Sequence, residues 1–158
     1  MSTNLSTEEC LERLIGTLAQ GLLSDALPSV GAIRLCVASD RATKAQDPRV
    51  VVTARMQSDD QTVVIDGTIA KVYAISVVIE VPSSDSRAQP ADYQTAIDQT
   101  GSQLVSPTPA QVQTIDPQFL ELFDLLVISE VTGSTYEVDN DHILYGVAVS
   151  AIVHRINS

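Results

Sequence analysis

The residues of this chain that could do chemistry are two histidines, two cysteines, many serines and one acidic run. His142 stands beside an expected turn and His154 lies near the C-terminus. An imidazole within hydrogen-bond reach of a hydroxyl can take its proton, so either histidine could serve a serine nucleophile. The spacing selects no serine for either, and both are read as exposed or partly packed side chains. Asp139-Asn140-Asp141 offers closely spaced oxygens of the kind a calcium loop uses, but the glycine and closing glutamate of an EF-hand do not follow. A solvated hairpin turn is the plainer reading. Cys10 and Cys36 are too few and too far apart for a disulfide framework or a zinc site, and are read as reduced packing residues. No dinucleotide or phosphate loop, no Gly-x-Ser-x-Gly elbow and no His-Glu-x-x-His occurs. Tyr73 and Tyr145 are expected in the core, and an aromatic content of 4% with no tryptophan argues against a stacking platform for bases or sugars. The expectation is a protein that is not an enzyme, with no catalytic residue, no metal and no cofactor.

Composition bounds the class. A chain of 158 residues, 44% hydrophobic and 18% charged, fits one folded domain over 1–158 with residues 1–6 as a flexible N-terminus. No apolar run reaches membrane-spanning length, and the N-terminus lacks a basic region followed by an apolar one, so neither a membrane span nor a secretory signal is expected. The net charge of −11 repels phosphate backbones and argues against specific nucleic-acid binding. That charge is uneven. Arg34, Arg41, Lys44, Arg49, Arg55 and Lys71 fall in one middle segment, and beyond it acidic residues dominate. Ordinary solvated faces explain this asymmetry; so does a basic loop of one copy meeting an acidic face of the next, which suits a ring.

The elements that would position these residues follow from periodicity. The central one is 69–81, where Ile69, Tyr73, Ile75, Val77, Ile79 and Val81 alternate with a smaller, mixed set. Its β-branched content suits a central strand with one face under a helix. Ser6 to Glu9 reads as a capping box opening a helix at about 7–25, with Leu11, Leu14, Ile15, Leu18 and Leu22 on its apolar stripe and Glu12 on the polar side. Gly16 and Gly21 are expected to allow close packing on the sheet. Ile33 to Val37 reads as a short strand, Ala38 to Arg49 as a basic loop, and 50–56 as a strand antiparallel to 68–81, with Val63 to Ile65 extending the pairing. A second helix is expected from Ala91 to about Leu104, with Tyr93, Ala96, Ile97, Thr100 and Leu104 on one side. A loop over 102–114, a helical turn over 117–123, a strand over 125–131, a loop over 132–141 and a last strand over 143–155 complete the order. Helices stacked on a mostly antiparallel sheet make the fold class α+β, with the two main helices on one face.

Without a legible reactive centre, a structural assembly subunit is favoured over a small enzyme or a ligand-binding module. The element order, with the strand Val-Tyr-Ala-Ile-Ser-Val-Val-Ile-Glu-Val running into a polar connector and helix, and the closing strand Val-Ser-Ala-Ile-Val-His-Arg, resembles the tail terminator proteins of tailed bacteriophages. The resemblance implies a homohexameric ring in the virion, assembled in the host cytoplasm. Such a ring caps the tail tube, stops its polymerisation and meets the neck or head connector. Its partners would be itself, the tube protein and a connector protein. Loops 38–49 and 132–142 would reach neighbours, with Arg41, Lys44 and Arg49 as basic interface residues and Glu137, Asp139 and Asp141 as acidic ones. Another neck or head-completion protein, a tail-tube relative, or a small-ligand module are the alternatives.

Overall fold

The computed structural model describes residues 7–31, 33–37, 47–56, 62–65, 68–104, 123–139 and 141–155. The fold is α+β. Helix α1 (Thr7–Ala26) is followed by strands β1 (Arg34–Val37), β2 (Arg49–Met56), β3 (Thr62–Ile65) and β4 (Thr68–Pro82). Helix α2 (Pro90–Gln103) then leads to β5 (Phe123–Asp139) and β6 (His142–Arg155). The six strands form one sheet in the order β1-β2-β4-β6-β5, with β3 also paired to β4. β1 runs parallel to β2, and the other pairings are antiparallel.

The alternation of 69–81 sets the architecture. Tyr73, Ile75, Val77, Ile79 and Val81 are buried together with Val50 and Val52 from β2 and Tyr145, Val147, Val149 and Ala151 from β6. Register makes this one face: Val52 and Val147 flank Val77, and Val50 and Tyr145 flank Ile79. Both helices lie on it, α1 over β1, β2 and β4, and α2 over β5 and β6. The α2 residues expected to face inward, Tyr93, Ala96, Ile97, Thr100 and Leu104, are all buried. Pro90 occupies the first turn of α2, where its missing N–H costs nothing, and the Asp92 carboxylate accepts from the Gln89 N–H at 3.0 Å. Gly16 of α1 sits so close to β1 that a Cβ there would come within 2.6 Å of a Leu35 methyl. Gly21 differs from expectation: it is exposed, and nothing lies within 4 Å of where its Cβ would be.

β3 extends the β2 pairing as the sequence suggests. Lys71 has Thr62 on one side and Val153 on the other, so β3 uses the same edge of β4 as β2. The larger correction concerns the chain after 122. Phe123 is the first residue of β5 rather than the end of a helical turn, and the loop expected over 132–141 is strand as far as Asp139. Thr132, Thr135, Tyr136 and Val138 are good strand formers, and the polarity of the threonines suits an outermost strand. Irregular register between Thr132 and Thr135 accommodates Gly133 within the pairing. The N-terminal cap at Ser6, the turns at 59–61 and 66–67, and the segments 38–46 and 105–122 lie outside the described residues.

Glu12 is a second correction. It is buried, not on a solvated side, and its Oε2 accepts the Ala54 N–H at 2.9 Å. The described part of β1 ends opposite Val52, and further along β2 the Glu12 carboxylate serves the Ala54 N–H as a strand carbonyl would. Glu12→Ala is expected to cost about 2 kcal/mol by leaving a buried donor unsatisfied. Glu12→Gln, which keeps an oxygen acceptor, should cost about half that in urea denaturation.

Candidate functional site

The groups that could react come together at one end of the sheet. His142 opens β6 opposite Pro82, and its Nδ1 lies 2.9 Å from the Asp141 carboxylate. Ser83 follows Pro82 directly, so a serine, a histidine and an aspartate share one corner. The geometry is that of a turn rather than a nucleophile. The Ser83 hydroxyl and the Ser83 N–H both donate to the Asp141 main-chain oxygen, each at 2.8 Å. Those bonds tie the end of β4 to the β5–β6 hairpin and direct the hydroxyl to a carbonyl. Asp139 pairs in register with His142, on the strand side of the same hairpin. Among the described residues no group of three or more His, Cys, Asp or Glu side chains is placed to hold a metal. Cys10 and Cys36 are both buried and are not joined.

The interface residues inferred from charge divide three ways. Arg41 and Lys44 lie outside the described residues. Arg49 does not belong to a loop: it begins β2, and its Nη2 donates to Glu80 Oε1 at 3.0 Å with both side chains largely covered. This arginine is committed within its own subunit. Glu137 and Asp139 stand on the outermost strand β5, and Asp141 is exposed in the turn that follows.

Arg87, in the connector between β4 and α2, centres a polar cluster of four residues among the described ones. It donates to Asp85 through Nε at 2.9 Å, to Asp47 at 3.0 Å and to the Val30 carbonyl at 3.3 Å. Three chain segments are thereby fastened together. The hydrogen bond from Arg87 holds the Asp85 carboxyl below the usual carboxylate range. This is the bonding of a structural clamp, with each of the three guanidinium nitrogens bonded within its own chain.

What the charge pattern does not reveal is the face of the sheet turned away from the helices. Its middle is exposed at Thr53, Arg55, Ser76 and Ala148. A hollow of about 470 Å³ lies over this floor, lined by Thr53, Arg55, Ala74, Ser76 and Ala148. Its polar groups are hydroxyls and one guanidinium. Among the described residues that line it there is no acid–base pair, and its small-residue floor has the shape of a contact surface. The sequence signal for it is the small even set of 68–81, Ala74 and Ser76, repeated in Ala148 and Ser150 of β6. A second hollow, of about 230 Å³, lies between the C-terminal ends of α1 and α2, beside Asp25, Gln99 and Gln103.

No protein-family model matches this chain, and a search of curated proteins finds no match either.

Proposed function

We propose that this protein is a structural assembly subunit that closes into a ring, and specifically a tail terminator of a tailed bacteriophage. In this reading a hexamer caps the finished tail tube, stops its growth and provides the joint to the neck or head connector. The supporting observation is the outermost strand β5. It runs for 17 residues at the edge of the sheet with no further strand beside it among the described residues. An open edge of that length presents a row of main-chain donors and acceptors to another chain. On the other side of β4, β3 has no outer neighbour among the described strands. Two unlike edges suit head-to-tail contact, and head-to-tail contact closes into a ring when the rotation permits.

Electrostatics adds to this. The acidic β5 end, with Glu137 and Asp139, would face the basic segment carrying Arg41 and Lys44 on the next subunit. The acidic surface does not hold DNA, and a ring wall that repels DNA lets it pass. No helix among the described residues is long and apolar enough to cross a membrane.

Native mass spectrometry and virion fractionation test the reading. The expected ring contains six protomers of 16.9 kDa and purifies with tails. Reversing Arg41 and Lys44 to glutamate is expected to shift it toward monomer most strongly at low salt. A monomer that turns over or tightly binds a metabolite would overturn the assembly reading. A ring found elsewhere in the neck would favour another head-completion protein.

A further inference from the structure

The open sheet face carries a pattern that matches itself when reversed. Register places Arg55, Ala74, Ser150 and Glu130 in one row across β2, β4, β6 and β5. The adjoining row is Thr53, Ser76, Ala148 and Thr132. Each row has small residues at its centre. The first ends in an arginine on one side and a glutamate on the other, and the second ends in threonine on both.

We infer that this face takes the same face of a second copy, about a two-fold axis running along the strands between β4 and β6. Such an axis reverses each row. The Arg55 position of one copy then lies over the Glu130 position of its partner, and the same pair forms again at the other end. Adjacent strands are about 4.8 Å apart, so the two ends of a four-strand row are roughly 14 Å apart. Facing sheets pack about 10 Å apart, a gap within the combined length of an arginine and a glutamate side chain. The hollow over Ala74, Ser76 and Ala148 lets two such floors approach without large side chains between them. Arg55 and Ser76 are exposed, so this part of the face is accessible in the single subunit. A complementary occupant presents an acidic and a basic position at matching ends of a small-residue floor, and a second copy does so by symmetry. The inference does not rest on the ring reading, which uses the sheet edges and not this face.

The test exploits the two-fold. Arg55→Glu alone puts like charges at both ends of the contact, and so does Glu130→Arg alone. Each is expected to weaken face pairing about tenfold or more at low salt. Analytical ultracentrifugation would read this as a halved particle mass, two face-paired rings parting into single rings or a face-paired dimer into monomers, with circular dichroism unchanged. Mixing the two variants in equal amounts is expected to restore the mass as a one-to-one complex, because R55E chains then present two carboxylates to E130R chains presenting two guanidinium groups. Wild-type mass insensitive to both reversals, or a mixture that stays dissociated, overturns the inference. Failure of the ring would leave the face-paired dimer intact, and failure of face pairing would leave the ring, so the two readings are separable.

Discussion

Glu80→Ala is expected to destabilise the fold by about 3 kcal/mol, because it removes the carboxylate from a nearly buried ion pair. The Arg49 and Glu80 side chains are only 12% and 8% exposed, and they stand directly opposite each other across β2 and β4. Arg34 is the register partner of Arg49 on the far side, so losing Glu80 leaves two guanidinium groups on adjacent strands with a neutralising charge gone. Like charges side by side on a sheet face add to the penalty. Arg49→Met alone should cost a similar amount, by stranding the carboxylate instead. The double variant Arg49→Met/Glu80→Leu should be markedly less destabilised than the sum of the two, since an apolar pair of similar volume avoids the desolvation of both ions. Urea denaturation of the four proteins measures this. Single variants within about 1 kcal/mol of wild type, or additive losses, would show that the pair is not an internal strut. The result also bears on assembly. Reversing Arg49 would lower stability as well as any assembly, so Arg41 and Lys44 are the positions at which charge reversal tests the ring.

The misplacement of Arg49 shows where sequence reading stops. The alternation of 69–81 and the helical spacing of Tyr93, Ala96, Ile97, Thr100 and Leu104 are strong because burial demands that one face be apolar throughout. Elements of that kind are legible, and the α+β class follows from their order. A charged residue carries no such signature. Arg49 follows a polar basic run and reads as its last member, and only the register of β2 on β4 sets it against Glu80. A glutamate among the apolar residues of 69–81 is the available hint, since a carboxylate on a covered strand needs a partner. Glu12 hides for the same reason. Its burial goes with a bond to the Ala54 N–H of β2, a partner set by how α1 lies on the sheet. The second half of β5 reads as a loop because threonine, glycine and serine mark turns as often as they mark an outermost strand. The open face was legible in part: the small even positions of 68–81 are visible, but the row joining Arg55 to Glu130 exists only once four strands are in register.

Tyr145→Ala is expected to cost about 4 kcal/mol, the loss typical of a large aromatic removed from a packed core. Tyr145 is 1% exposed and stacks on Tyr93, with ring centroids 5.5 Å apart and planes at 19°. The stack joins α2 to β6, so the cavity would open between helix and sheet. Tyr93→Phe should do the opposite. Among the described residues the buried Tyr93 hydroxyl finds no hydrogen-bond partner, and removing it while keeping the ring is expected to be neutral or to stabilise by about 1 kcal/mol. The same hydroxyl makes stability fall in alkali. Burial, and then the nearby negative charge of Asp85, push the Tyr93 phenol from 10.0 up to about 12. Below pH 10 both folded and unfolded chains hold this proton, and it adds no pH dependence. Between 10 and about 12 the unfolded chain releases it while the folded chain keeps it, so unfolding is favoured as pH rises through that window. The expected loss is on the order of 2 kcal/mol across the window. Tyr93→Phe should flatten that part of the stability curve, and absorbance titration of the native protein should show one late phenol that the variant lacks. An unchanged alkaline slope in the variant would mean that the hydroxyl meets solvent or a partner in the folded protein.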